Sequence, residues 1–173
     1  MIHTSKASPP PPVDCAQVLA RYPVQSYKEQ RSTCPSTKQS HHVIQNSHFQ
    51  SPRGKNVPGV CPGYSEDDAP CIPLGNGTNP RKEHGRVSKM QKADGKRYRN
   101  RGKNPTYPEA RADAKKQLTA TPKPGLSDEE AECILVKVDE YFEKTCGPTA
   151  GKQLRSPGQR TKWKPDTKKK GTW

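Results

Sequence analysis

The sequence predicts a small α+β domain. Two short apolar or β-branched runs, at 40–44 and 69–74, are separated by a long Pro/Gly-rich stretch. A turn-forming run and a helical pattern follow the second, and two more helical patterns lie at 108–118 and 127–146. A length of 173 residues suits one domain. Only 28% of residues are hydrophobic and the mean hydropathy is −1.15, so the core must be small. The 19 prolines and 13 glycines imply much irregular backbone.

Residues 1–12, ending in the run Pro9–Pro12, read as a stiff linker. Val13 to Tyr22 then suits a short helix opened by Asp14 and cut off by Pro23. Ser40-His41-His42-Val43-Ile44 is the strand of the first half. The chain after it passes Pro52, Gly54, Pro58, Gly59, Pro62 and Gly63, and ordered loops of such length are more often functional than not. Ala69 to Leu74 returns as a second strand, which Pro70 and Pro73 confine to a sheet edge. Gly75 to Pro80 is a turn by composition. It leads into a helix with Thr78 or Asn79 as cap and Pro80 at its first position. That helix runs to about Lys92 and carries His84 in its second turn.

The most fully specified element is Ser127 to Cys146. Ser127 and Glu130 have the spacing of a capping box. Ala131, Ile134, Leu135, Val138, Tyr141 and Phe142 fall on one stripe, and Gly147 supplies the stop. A helix over Pro108 to Leu118 presents Ala110, Ala114 and Leu118 to it. The folded domain thus spans 13–150, and 151–173 reads as a flexible basic tail, either a mobile arm or a solvated end.

The formal charge is +14, which disfavours compaction and calls for a polyanionic partner. Nucleic acid suits best, because counterions are released as Lys and Arg meet phosphates. Charge is also unevenly placed: residues 79–117 hold 13 Lys/Arg and 4 Asp/Glu, whereas 127–146 hold 2 and 7. No stretch approaches the ~20 apolar residues of a membrane span. Met1 to Pro12 has no apolar signal-peptide core, so export, if it occurs, is expected to use a route without a cleaved signal. The six cysteines (Cys15, Cys34, Cys61, Cys71, Cys133, Cys146) contain no CxxC, so a structural zinc site is not signalled. Cys61 and Cys71 are the first pair to test for a disulfide, with partly buried free thiols as the alternative.

Of five histidines, His41, His42 and His48 lie within eight positions. Adjacent imidazoles can divide labour at a metal site, one binding a divalent ion and the other taking a proton. Neighbours on a regular strand point to opposite faces, so both can serve one phosphate only if the strand bends or ends there. The alternative is two histidines with no shared task. His48, beside Phe49, suits a structural or substrate-side role, and Asp67 and Asp68 are either carboxylate ligands or solvated.

Ser40-His41-His42-Val43-Ile44-Gln45-Asn46, then Gly63-Tyr64-Ser65, Ala69-Pro70, Ile72, Leu74 and Glu83-His84, resemble one family in that order. It is the bacterial polymorphic-toxin nucleases of the HNH/endonuclease VII superfamily with an SHH signature, and the resemblance covers about 38–120. It implies a ββα-metal (HNH-like) core in which a bent hairpin and a helix hold one divalent cation: Mg²⁺, Mn²⁺ or Zn²⁺. His41 and His84 would be metal ligands and His42 the general base. Asn46, Asn76 and Asn79 are candidates to orient the hairpin or the base, Asn46 being placed with the catalytic residues. The segment Asn76-Gly77-Thr78-Asn79-Pro80-Arg81-Lys82 departs from the family pattern.

The implied activity is that of a metal-dependent endonuclease toxin acting on DNA or, with the same fold, on RNA. The implied setting is the C-terminal domain of a secreted bacterial effector, active in the target-cell cytoplasm and neutralised by a cognate immunity protein. Arg81, Lys82, Arg86 and Lys89 surround His84, and 82, 86 and 89 share a helix face. Arg97, Arg99 and Arg101 interleave with Tyr98, which suits a nucleic-acid strand. Such contacts give affinity without base reading. A non-catalytic basic nucleic-acid-binding protein is the competing reading, and a disulfide-stapled extracellular protein is a third.

Overall fold

The computed structural model describes residues 12–77 and 79–167. The linker expected before Pro12, Thr78 as a helix cap and the run Lys168–Lys170 lie outside them. Among the described residues the order is α1 (Cys15–Arg21), β1 (Gln25–Ser26), α2 (Tyr27–Thr33), β2 (Lys38–His42), β3 (Pro70–Gly75), α3 (Glu83–Arg101), α4 (Tyr107–Leu118) and α5 (Asp128–Cys146). The fold is mixed α+β, with an antiparallel β2–β3 pair followed by α3, as an HNH-like core requires.

Helix boundaries follow local capping. The Asp14 carboxylate accepts from the Ala16 N–H and opens α1. Ser26/Glu29, Thr106/Glu109 and Ser127/Glu130 form reciprocal capping boxes at the starts of α2, α4 and α5. Gly147, at a positive φ of 72° that favours glycine, ends α5.

Two expectations about the hairpin and its helix are corrected. β3 is the central strand, in the order β1-β3-β2, and is not an edge. The Val43 N–H donates to the Pro70 carbonyl and the Asn76 N–H to the Thr37 carbonyl, so even positions of β3 face β2. Odd positions face β1, whose pairing stops opposite Cys71, so the missing N–H of Pro73 disrupts no ladder. Pro70 is the first residue of its strand.

The helix expected at Pro80 begins at Glu83 and continues beyond Lys92 to Arg101. Asn79 closes a separate turn, its side chain accepting from the Arg81 N–H and its carbonyl from the Lys82 N–H. Glu83 then accepts from the Gly75 N–H at 2.6 Å and the Tyr22 hydroxyl at 2.9 Å, pinning the helix start to the end of β3. His84 therefore lies in the first turn. At the far end the buried Tyr98 hydroxyl donates to Asp113 of α4, which carries α3 past Lys92.

The core lies between the sheet and the helices. Phe49 stacks on Tyr64 and Phe142, with ring centroids 4.4 Å and 5.0 Å apart. Ile72 and Leu74 of β3 and Ile134, Leu135 and Val138 of α5 are buried in the same cluster. Disulfides join Cys15 to Cys133 and Cys61 to Cys146, so the expected Cys61–Cys71 pair does not form. Cys71 is a buried free thiol on the central strand.

The expected flexible tail is also corrected, for 152–166. Leu154 is fully buried, its N–H donating to the Pro105 carbonyl. The Arg155 N–H donates to the His48 carbonyl, and Trp163 donates its indole N–H to the Leu154 carbonyl. This segment is a strap across the domain, held by apolar anchors that the high cation content of the tail conceals.

Candidate active site

β2 ends at His42, and the chain bends at Val43 and Ile44. This meets the condition for two consecutive imidazoles to share a site. His41 and His42 both line one cavity of ≈430 Å³, with Asn46 from the loop and His84, Ser88 and Gln91 from α3. Tyr27, Arg53 and Glu66 close its other side.

His41 is only 6% exposed, and its ring meets that of His84 edge to face with centroids 5.5 Å apart. Burial, with the nearby imidazoles of His84 and His42 adding, holds the His41 pKa down to about 3. Burial lowers that of His84 as well. Both rings are thus neutral, the form in which imidazole ligates a metal. The Gln91 side-chain nitrogen stands 3.1 Å from His41 Nε2, and His84 Nδ1 is buried without a hydrogen-bond partner.

His42 is held differently. Its Nε2 lies 3.4 Å from the Glu66 carbonyl oxygen. A carbonyl only accepts, so Nε2 carries the proton and Nδ1 keeps the basic lone pair. The ring also packs on Tyr27, at 4.7 Å between centroids. Burial lowers the His42 pKa below the ordinary imidazole value, against the opposing pull of Glu66. Arg53 pairs with the Glu66 carboxylate and donates to the Tyr27 hydroxyl, bracing the two groups that hold the imidazole.

Asn46 lines the cavity with its amide engaged: Tyr64 donates to its oxygen at 2.8 Å, and its nitrogen donates to Gln50 at 3.1 Å. Asn76 ties the open end of the hairpin to the Ser36 carbonyl, while Asn79 shapes the turn before α3. Neither lines the cavity. His48 is buried beneath the strap, its Nδ1 2.8 Å from the Arg155 carbonyl, which matches the structural role. The acidic loop brings Glu66 to the cavity, and not Asp67 or Asp68.

Of the basic residues singled out, Arg81 and Lys82 in the turn before α3 and Lys89 on it are exposed, and Arg86 is half-buried with its Nε unpartnered. Arg97 is paired with Asp94 and Asp113, and Arg101 with Glu109. Arg99 donates to the Pro157 carbonyl. None of these seven lines the histidine cavity.

Residues 35–143 match the family model for HNH/Endo VII superfamily toxins with an SHH signature. The chain belongs to that family. No curated protein and no solved structure matches it significantly. Ser40-His41-His42 supplies the signature of this SHH toxin, and membership implies a nuclease with a nucleic-acid substrate.

Members of the superfamily typically depend on a metal, and the donor chemistry here fits a cation in part. His41 and His84 offer two neutral imidazoles, one with an orphaned buried nitrogen. Among the described residues no group of three or more His, Cys, Asp or Glu is placed to hold a metal, so protein ligation of a cation would rest on that pair. No helix among the described residues is long and apolar enough to cross a membrane.

Proposed function

We propose that this SHH toxin is a metal-dependent endonuclease that hydrolyses DNA phosphodiester bonds. The observation that carries the reading is the His42 ring, fixed by a main-chain carbonyl beside the His41–His84 pair in one cavity. His42 Nδ1 accepts the proton of the water that attacks phosphorus, and its depressed pKa keeps it unprotonated at neutral pH. His41 and His84 would hold the divalent cation, Mg²⁺, Mn²⁺ or Zn²⁺, which supplies charge neutralisation at the phosphate. Gln91 orients His41. Arg53, on the rim, directs its remaining N–H groups to phosphate oxygens. Asn46 keeps the loop wall in place through Tyr64 and Gln50.

Arg81, Lys82, Arg86 and Lys89 track the backbone beside the cavity, and Arg97, Arg99 and Arg101 extend that surface along α3. The biological setting we propose is the C-terminal domain of an exported bacterial effector. It would act in the target-cell cytoplasm and be neutralised in the producer by an immunity protein. Incubation with plasmid DNA and with total RNA, each with and without EDTA, tests the reading. Plasmid nicking and linearisation that EDTA abolishes is expected. Degradation of RNA with intact plasmid would move the substrate to RNA, and full activity in EDTA would remove the metal.

A further inference from the structure

Two adjoining cavities, of ≈360 Å³ and ≈400 Å³, flank the strap and share Gln159, Arg160, Thr161 and Lys162. Arg99, Lys103 and Lys164 line the first, and Ser51, Arg155 and Trp163 line the second. Arg155 is only 6% exposed, yet among the described residues no carboxylate lies within 4.0 Å of it. Its guanidinium is spent on the main-chain oxygens of Ser47 and Gln159. A buried cation with no counter-charge is costly, and here Arg99 adds a second like charge. Asp166 is the one acidic residue lining the first cavity, and both its oxygens already accept from Asn104.

We propose that the strap and the α3–α4 corner form a second polyanion-binding groove, which grips the phosphate backbone of a nucleic acid away from the histidine cavity. Trp163, set in sequence between Lys162 and Lys164, gives the second cavity an aromatic surface, and cations interleaved with a stacking platform suit nucleic acid better than an acidic protein. The groove adjoins the catalytic cavity: Ser51 lines the one and Gln50 the other, and Arg155 holds the carbonyl of Ser47, which also lines the histidine cavity. One bound strand can therefore reach both. This inference rests on the nuclease reading only for the identity of the bound molecule as substrate.

The test measures binding in the His42→Ala protein, in EDTA, so that no cleavage intervenes. A fluorescent DNA duplex is titrated over a range of salt by anisotropy. Arg160→Ala/Lys162→Ala/Lys164→Ala, all at exposed positions, should weaken binding at least tenfold and lower the salt slope by about 2.7. Lys116→Ala/Lys123→Ala/Lys144→Ala removes equal charge elsewhere and should leave affinity within about threefold. Equal affinities for the two triple variants would overturn the groove. Displacement of the duplex by polyglutamate at lower charge concentration than by unlabelled duplex would overturn nucleic acid as its occupant. If the strap variant fails to unfold cooperatively, Arg160→Ala alone gives the same comparison with a slope change of about 0.9. Loss of cleavage on replacing His42 is measured separately, so a failure of the nuclease reading leaves the binding result interpretable.

Discussion

Removing the Cys61–Cys146 bridge should cost this domain a large share of its stability. The bridge closes a loop with a sequence separation of 85. Chain entropy alone assigns a loop of that size about 4.6 kcal/mol, and bridges of this kind typically contribute 2–4. Domains are stable by only ~5–15 kcal/mol, so Cys61→Ala/Cys146→Ala should fold but sit close to its limit. In urea, with a slope of about 2 kcal/mol/M, the midpoint should fall by roughly 1–2 M, read by circular dichroism. Thiol counting by mass spectrometry supplies the reference. Without reductant, alkylation should reach Cys34 in the native protein, Cys34 and Cys71 after denaturation, and all six cysteines only after reduction. An unchanged urea midpoint would refute the stabilising role. Alkylation of Cys61 or Cys146 without reductant would refute the bridge itself.

Acid should weaken the fold through His48, whose pKa burial holds down to about 4. An unfolded imidazole titrates near ~6.5, so this contribution is complete above that pH and is lost as pH falls through 4, by roughly 3 kcal/mol in all. A pH series of urea midpoints checks this, and His48→Gln should flatten the curve between those values. Leu154→Ala should destabilise by about 2–5 kcal/mol, because the side chain that anchors the strap is fully buried. An unaltered thermal midpoint would contradict that packing. Gly63→Ala should cost about 1–3 kcal/mol, since an added Cβ would stand 2.9 Å from the Thr145 carbonyl oxygen. Arg53→Ala should slow cleavage about tenfold or more with little change in urea midpoint, because the side chain is mostly exposed.

The sequence carried the helices better than the sheet. Asp14 with Pro23, and Ser127 with Glu130 and Gly147, are local signals, and α1 and α5 follow them. The Ser26/Glu29 box was equally readable, yet α2 and its two-residue strand β1 escaped because no apolar periodicity accompanies them. Proline rules misjudged β3, because they cannot see that the neighbouring strand stops before Pro73 needs a partner. The strap escaped for a related reason: Leu154 and Trp163 are isolated among cations and polar residues, and their burial depends on partners far away in sequence.

At the site, His41, His42 and His84 were legible from spacing and family likeness, and they do converge. Gln91 lies seven residues after His84 on the same helix, so helical spacing could have found it. Arg53 and Glu66 meet from opposite ends of an irregular loop, which has no period to reveal them.

Single-turnover cleavage of a DNA duplex by His42→Ala, with duplex binding measured alongside, tests the catalytic assignment most directly. Loss of the general base should cost about 10²–10⁴ in rate and leave the dissociation constant within about twofold. Cleavage at the wild-type rate would mean that the imidazole braced by Glu66 does not take the proton.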